Sequence, residues 1–125
     1  MLAYQPEDLH RLFAARVNAR DVDGLVELYE PDAVTYDLQG KRLEGAEALR
    51  AMLTGLVSIV DHIEGETRRV TVHDDLALLS GAWRATGAGP DGQPATLTGA
   101  NTEIARRQPD GSWRFVIDDP AGGTP

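Results

Sequence analysis

The residue type that points most directly to chemistry is the carboxylate of Asp37, which closes the β-forming run Ala33–Tyr36. Strand propensity disfavours aspartate, so its position needs another reason. One reason is turn formation, because Asp is common at the first position of a bend such as Asp37–Gly40. The other is catalysis, because a carboxylate at a strand end can point into a pocket and accept a proton. Turn formation is the more frequent reason, and both interpretations stay open.

Histidine and tryptophan supply few further candidates. His62, at the entrance of a strand, could carry a proton near neutral pH, although single histidines are more often exposed. His10 falls on the polar side of the first helix and His73 in a turn, so both are expected at the surface. Trp83 and Trp113 are interpreted as core and interface anchors. No His or carboxylate pair has metal-ligand spacing on a predicted pocket face, and no metal site is predicted.

The composition excludes several classes of protein. A chain of 125 residues with 42% hydrophobic residues predicts one globular domain. A net charge of −8 argues against a nucleic-acid partner, which requires clustered Lys and Arg. The absence of cysteine excludes a disulfide framework, a thiolate nucleophile and a Cys-based zinc site. No signal-peptide pattern and no apolar run of about 20 residues occurs, so a soluble cytoplasmic protein without a membrane partner is expected.

Helix patterns come first along the chain. Pro6–Asp8 suits a first helical turn, and a buried stripe recurs at helical spacing through Leu9, Leu12, Phe13 and Val17. A second short helix, capped by Asp21 or Asp23, is predicted to include Leu25, Leu28 and Tyr29 and to end at Pro31. A third helix is predicted from Ala46 to Val60.

From Asp61 onward the alternation of polar and apolar residues predicts strands, over 61–73, 76–86, 96–107 and 113–118. Helices followed by antiparallel strands give an α+β class, with three helices packed in the concave face of a curved, mainly antiparallel sheet. Such a cone encloses a mostly apolar cavity suited to a small molecule. The domain is predicted to span 1–120, with a loose Gly/Pro-rich tail over 121–125.

Five segments in order resemble one known superfamily: the first helix, LYEPDAV, EGAEALRAML, DDLALLSGAWRATG and RRQPDGSWRFVIDDP. They resemble the SnoaL-like, nuclear transport factor 2-like superfamily, and in texture its small polyketide- and enediyne-cluster members. The resemblance spans nearly the whole chain and implies a cystatin-like α+β cone. It implies no single function, since the superfamily hosts isomerases, cyclases, dehydratases, epoxide hydrolases and inert binding modules.

The ketosteroid isomerases of this superfamily offer a comparison residue by residue. The resemblance places Asp37 where those enzymes carry the general base, and Glu103 at or near their second pocket acid. It places Phe13 where they carry the tyrosine that stabilises an oxyanion. Because a phenyl ring has no hydroxyl to donate, isomerisation of ketosteroids is not expected.

Strand alternation adds neighbours to these candidates. Asn101 shares the face of Glu103, and on the last strand Val116 and Asp118 are predicted to face inward, opposite to Trp113, Phe115 and Ile117. A one-residue bulge would reverse these assignments. The alternatives are a surface pairing of Glu103 with Arg106 or Arg107, and a turn-forming role for Asp118.

These observations predict a small-molecule pocket protein without a cofactor, acting as an acid/base isomerase, cyclase or dehydratase on an apolar, polyketide-like metabolite. The predicted catalytic residues are Asp37, Glu103 and Asp118. The predicted substrate-binding residues are Phe13, Asn101, Val116, Trp83 and His62. The alternative is a non-catalytic ligand-binding or dimerisation module. An open cavity with converging acids favours the enzyme, whereas a cavity filled by side chains favours the module.

The assembly can also be predicted from the sheet. Helices cover only one of its faces, so apolar residues on the other face need a partner. Trp83, Trp113, Phe115 and Ile117 are candidates for an exposed patch larger than a monomer usually leaves in water. A two-fold homodimer packed sheet to sheet is therefore expected.

Overall fold

The structure, a computed structural model, describes residues 1–123. The first half contains the helices α1 (Asp8–Asn18), α2 (Val22–Val26) and α3 (Ala46–Ile59), with strands β1 (Tyr29–Tyr36) and β2 (Arg42–Glu44) before α3. Four strands follow: β3 (Val60–His73), β4 (Leu76–Ala88), β5 (Pro94–Arg107) and β6 (Trp113–Asp119). The predicted α+β class is confirmed.

The six strands form one sheet in the order β2-β1-β6-β5-β4-β3. Only β1 and β6 pair in parallel, and every other neighbouring pair is antiparallel. Strands as long as β3, β4 and β5 accumulate twist, which curves the sheet around the helices. The core lies between the helices and the concave face, where residues such as Leu53 of α3 and Leu79 of β4 are fully buried.

The last residue of helix α1, Asn18, attaches the helix to strand β3 of the sheet. Its buried stripe is Leu9, Leu12 and Val17. The side chain of Asn18 donates from Nδ2 to the carbonyl oxygen of Ile63 and accepts from the amide nitrogen of Ile63 with Oδ1, both at 2.8 Å. This two-point contact satisfies backbone groups of β3 that no neighbouring strand reaches. It therefore sets the position of the residues about two turns earlier on α1.

The beginning of β1 differs from the sequence expectation. Helix α2 ends at Val26, and Tyr29 is the first residue of β1 rather than part of a helix. Pro31 lies inside this strand, in the stretch between Tyr29 and Val34 where the pairing with β6 is irregular. Proline has no N–H to donate, so it fits where the ladder is interrupted. As a result the ring of Tyr29 enters the core, with 2% of the residue exposed.

Strand β6 carries a bulge that decides which of its residues face inward. Ile117 pairs with Ile104 of β5, but Phe115 pairs with Ala105, so Val116 is the extra residue. The bulge turns Phe115 and Trp113 into the core, where they are 2% and 5% exposed. The prediction that Val116 faces inward while Trp113 and Phe115 face outward is therefore wrong.

The residues after β6 continue against the sheet. The amide nitrogen of Gly123 donates to the carbonyl oxygen of Ala100 at 2.9 Å, and that of Gly122 donates to the carbonyl oxygen of Asp119 at 3.2 Å. Residues 124 and 125 of the predicted tail lie outside the described part of the chain. Among the helices of residues 1–123, none combines the length and the apolar character that a membrane crossing requires.

Candidate active site

A cavity of about 770 Å³ lies between the helices and the concave face of the sheet. Its wall is mainly apolar and includes Phe13, Met52, Leu56, Ile63 and Phe115. This volume is within the range of small-molecule sites, about 300–1,000 Å³. Three of its large apolar residues, Leu38, Ile59 and Leu97, are 45%, 61% and 50% exposed and mark the open end. The cavity is therefore an open cone rather than a space filled by side chains.

One part of the wall carries a connected group of polar side chains, the Glu103 cluster, which consists of His10, Asn101, Glu103 and Asp118. Glu103 Oε1 lies 2.5 Å from His10 Nε2. Asn101 Nδ2 donates to Glu103 Oε1 at 3.0 Å and to Oε2 at 2.7 Å. Asp118 is at the position of β6 that pairs with Glu103. Two carboxyl groups thus face each other across neighbouring strands in the wall of the cavity.

Strand β5 presents this cluster because its inward residues alternate. Asn101, Glu103 and Ala105 are buried, whereas Thr102 and Ile104 between them are less so. Gly81 on β4 leaves room for the amide of Asn101: a Cβ at Gly81 would lie 3.2 Å from Asn101 Oδ1 and 2.4 Å from the carbonyl oxygen of Glu66. A larger residue there would displace the donor that holds Glu103.

His10 is a member of the cluster that sequence reasoning missed. The prediction of an exposed His10 is wrong, because its side chain is only 14% exposed and both ring nitrogens have partners. Nε2 contacts Glu103, and Nδ1 lies 2.6 Å from Thr67 Oγ1. Thr67 stands beside a bulge of β3, where the pairing with β4 shifts between Thr67 and Arg69. The available signal was its spacing, since His10 is three residues before Phe13 and shares that side of α1.

Asp118 is the carboxyl group that retains its proton. Burial raises the pKa of Asp118 to about 8, and the charge of Glu103 contributes to the rise. The hydroxyl of Tyr29 donates to Asp118 Oδ2 at 2.6 Å, which opposes the rise. Burial and the neighbouring Asp118 also raise the pKa of Tyr29 well above its usual value, so the phenol remains a donor. At neutral pH Asp118 is therefore mostly a neutral acid beside a carboxylate.

Asp37 lies at the open end of the cavity and organises the turn after β1. Its Oδ1 accepts hydrogen bonds from the amide nitrogens of Gln39 and Lys41, both at 2.9 Å. The turn interpretation is confirmed. Asp37 also lines the cavity, so its catalytic role remains a prediction, although its hydrogen bonds hold the turn rather than the Glu103 cluster.

The other predicted residues divide into two groups. Phe13, Asn101 and Trp83 line the cavity, and Trp83 Nε1 donates to the carbonyl oxygen of Pro120 at 2.7 Å. Val116, the bulge residue, is not among the lining residues. His62 is not among them either: its side chain is 61% exposed and lies 3.9 Å from Glu64, so the structure gives no support to its predicted contact with a substrate, which stays a prediction.

The polar residues of the cluster are occupied with one another. Within residues 1–123, no group of three His, Asp or Glu side chains is arranged to hold a metal ion. What the arrangement offers is proton chemistry: a carboxylate held by two nitrogen-bearing side chains, and a protonated carboxyl group held by a phenol.

Comparison with known proteins assigns the family. Residues 9–116 match the model of the SnoaL-like domain. The chain belongs to the SnoaL-like domain family. No curated protein matches it.

Solved structures show the same fold at low sequence identity. A ketosteroid isomerase-like protein from Erwinia carotovora atroseptica is 17% identical with a TM-score of 0.80, over 90% of this chain and 89% of that chain. A suggested dehydratase of the nuclear transport factor 2-like family from Streptomyces avermitilis is 17% identical with a TM-score of 0.73, over 89% and 88%. A domain of unknown function with a cystatin-like fold from Nostoc punctiforme is 19% identical with a TM-score of 0.76, over 92% and 73%. These similarities establish the cystatin-like cone.

The raised pKa of Asp118 predicts a pH-dependent stability. The unfolded carboxyl has its ordinary pKa of 3.8, whereas the folded protein keeps the proton to about pH 8. Between these values the folded state binds more protons, so this group lowers the free energy of unfolding as pH rises, by up to about 1.4 kcal/mol per pH unit. Asp118→Asn should remove this slope and make the variant more stable than wild type near pH 8. Urea denaturation from pH 4 to 9 measures it.

Asp119→Asn is the matched control, because it removes the adjacent carboxyl of the same strand. An equal loss of slope in both variants would contradict the role assigned to Asp118.

The contact between Thr67 and His10 predicts a fixed imidazole tautomer. If the hydroxyl of Thr67 donates to Nδ1, neutral His10 carries its hydrogen on Nε2 and donates it to Glu103. Thr67→Val should shift the ring nitrogens toward a mixture of tautomers, whereas Thr67→Ser should keep the wild-type pattern. The nitrogen-15 chemical shifts of the imidazole, measured by NMR, distinguish the two tautomers. A wild-type pattern in Thr67→Val would show that Glu103 alone orients the ring.

Proposed function

We propose that this protein is an acid/base enzyme without a cofactor, which moves a proton on an apolar carbonyl compound as isomerases, cyclases and dehydratases do. The observation that carries the proposal is the pairing of Glu103 and Asp118 in the wall of an open cavity. One carboxyl group accepts hydrogen bonds from His10 and Asn101, and the other keeps its proton. Neighbouring carboxyl groups with such different environments can serve as base and acid.

In this mechanism Glu103 is the base. Its carboxylate takes a proton from the carbon beside the substrate carbonyl, and the electron pair of that C–H bond moves into the new C=C bond. Asp118 donates a hydrogen bond to the carbonyl oxygen, on which negative charge develops. For isomerisation, protonated Glu103 returns the proton to another carbon of the enolate. Asp118 thereby supplies the donor that Phe13 lacks.

Dehydration uses the same pair. Glu103 again takes the proton next to the carbonyl, and Asp118 gives its proton to the departing hydroxyl group, which leaves as water. After this step Glu103 is protonated and Asp118 is ionised. Transfer of the proton from Glu103 to the facing Asp118 restores both groups to their starting states. His10 acts in both reactions through Glu103, because its ring nitrogens are bonded to Glu103 and Thr67.

The size and polarity of the cavity support an apolar substrate. A polyketide intermediate is of this kind, being apolar and rich in carbonyl groups. The alternative, a non-catalytic ligand-binding or dimerisation module, is less well supported because the cone is open and two acids converge on it. Relatives of the same fold that are named for isomerase-like and dehydratase activity are consistent with proton transfer chemistry.

Hydrogen exchange on a simple apolar ketone tests the proposal. In heavy water, the wild-type protein should accelerate the loss of the α-proton signals of 2-tetralone in NMR spectra. Glu103→Gln and Asp118→Asn should each lower the acceleration about 100-fold or more, the usual contribution of a positioned acid or base. Asp37→Asn should stay within a few-fold of wild type, because asparagine serves the same turn.

The matched control is Asp119→Asn. Exchange at the full rate in Glu103→Gln, or no acceleration by wild type, would contradict the proposal. A loss confined to Asp37→Asn would identify Asp37 as the base.

We further propose a two-fold homodimer packed through the outer face of the sheet. The patch differs from the one expected from sequence, because Trp113 and Phe115 are in the core. An apolar row instead crosses four paired strands: Val34, Ile117, Ile104 and Leu78. Leu78 is 51% exposed, between the buried Ala77 and Leu79. Such a row can pack on its own copy about a two-fold axis.

Leu78→Glu should convert the dimer into a monomer, because it places a charge in the middle of the apolar contact. Val72→Glu, at a 53% exposed position outside the row, is the control. Multi-angle light scattering at micromolar concentration measures both. A monomeric wild-type protein would overturn the dimer without affecting the proposed chemistry.

A further inference from the structure

The ionisable residues that line the cavity are of nearly uniform sign. The acids that face it are Asp37, Glu103 and Asp118, and the other ionisable residues are His10 and Tyr36. Glu64 and Glu66 border the cavity, but they alternate with Ile63 and Thr67 along β3 and are 64% and 65% exposed, so their side chains lie on the opposite face of the sheet. Among the described residues that line the cavity, none is Lys or Arg. The arginines of the adjacent strands, Arg68 and Arg84, line a groove of about 630 Å³ on the outer face of the sheet, together with Glu64 and Glu66. They do not line the cavity.

Helix α3 adds to the negative character of the cavity. The residues it contributes to the lining, Met52, Gly55, Leu56, Ser58 and Ile59, come from its C-terminal half. The carbonyl groups at the C-terminal end of a helix form the negative pole of its dipole. Protein sites for anions usually provide the opposite: arginine, lysine or the free N–H groups of a helix N-terminus.

We propose that the cavity selects its ligand by charge. It accepts an apolar molecule that is uncharged or positively charged, and it excludes the carboxylate, phosphate or sulfate of the same apolar body. This inference rests on the proposed function, since it defines the substrate class of the same site. The reacting carbonyl is then that of a ketone, aldehyde, ester or lactone rather than that of a free acid.

The same charge distribution constrains the intermediate. Negative charge that develops on a carbonyl oxygen in this cavity finds no fixed cation in the lining, and it is close to the carboxyl groups of the cluster. The proton of Asp118 is the neutralising element within reach. An intermediate in which that proton moves from Asp118 onto the substrate oxygen, an enol, is favoured here over an enolate that only accepts the hydrogen bond. Asp118 takes this proton back when protonated Glu103 returns its own proton to carbon.

Three naphthalene probes of matched shape test the proposal: 2-naphthylmethanol, 2-naphthylmethylamine and 2-naphthoic acid. At pH 7 they are neutral, cationic and anionic, and their fluorescence reports binding. We expect the wild-type protein to bind the alcohol and the ammonium at least about tenfold more tightly than the carboxylate, which corresponds to a difference of about 1.4 kcal/mol. Carboxylate binding as tight as that of the alcohol would overturn the proposal.

Charge variants at the lining identify the source of the discrimination. Asp37→Asn removes an acid of the lining that takes no part in the proposed chemistry while keeping the turn, and it should narrow the gap in affinity between alcohol and carboxylate several-fold. Glu7→Gln removes an exposed acid outside the lining and should leave this gap unchanged. An equal change in both variants would show a general effect of net charge and would contradict selection by the cavity.

The binding test of charge selection can succeed or fail independently of the exchange test of the proposed reaction. Discrimination between the probes without exchange on 2-tetralone would leave charge selection in place and remove the enzyme proposal. Exchange on 2-tetralone together with tight binding of 2-naphthoate would do the reverse. Absence of binding for all three probes would overturn the inference, since the cone would then not admit an apolar molecule of this size.

Discussion

The facing of Glu103 and Asp118 across β5 and β6 is the constraint on which the site depends. It requires a bulge at Val116, because without the extra residue either Phe115 or Asp118 would face away from the core. With the bulge, one strand delivers an aromatic ring to the core and an acid to the cavity wall. The ring of Phe115 then packs against Tyr29, with centroids 5.1 Å apart, and Tyr29 in turn holds Asp118.

This arrangement places groups where burial disfavours their charged forms. Two carboxyl groups in an apolar wall repel each other when both are ionised, which disfavours the charged form of Asp118. Burial and the charge of Glu103 raise the pKa of Asp118, which the hydrogen bond from Tyr29 opposes, while Glu103 is bonded to His10 of α1 and Asn101 of β5. The folded state tolerates this cost because the surrounding core, which includes Leu9, Leu53 and Leu79, is well buried. Stability is commonly lower at functional sites for this reason.

Much of the fold could be predicted from the sequence. The helical spacing of Leu49 and Leu53 gave α3, and the alternation after Asp61 gave the long strands, because periodicity reports which face is buried. The prediction that a helix ends at Pro31 was wrong, since proline ends helices but also occurs in strands where the pairing is irregular. The side of α1 that carries His10 was predicted to be exposed because its residues are polar. Only the folded structure shows that β5 places Glu103 against this side of the helix. Glu103, Asp118 and Asn101 were among the candidates, whereas the bulge at Val116 follows from packing that no local pattern reports.

The comparison with ketosteroid isomerases shows how one fold permits different sites. The sequence resemblance suggested Asp37 as the base and exposed a missing donor at Phe13. In the structure, Asp37 is bound to its own turn, while a neutral acid and a carboxylate stand together deeper in the sheet. In the proposed mechanism the donor is carried by another element: Asp118, whose pKa is raised by burial and by the charge of Glu103. Because the cone is defined by its helices and curved sheet, the position of its polar residues can change without change of fold, and the chemistry must be argued from those residues.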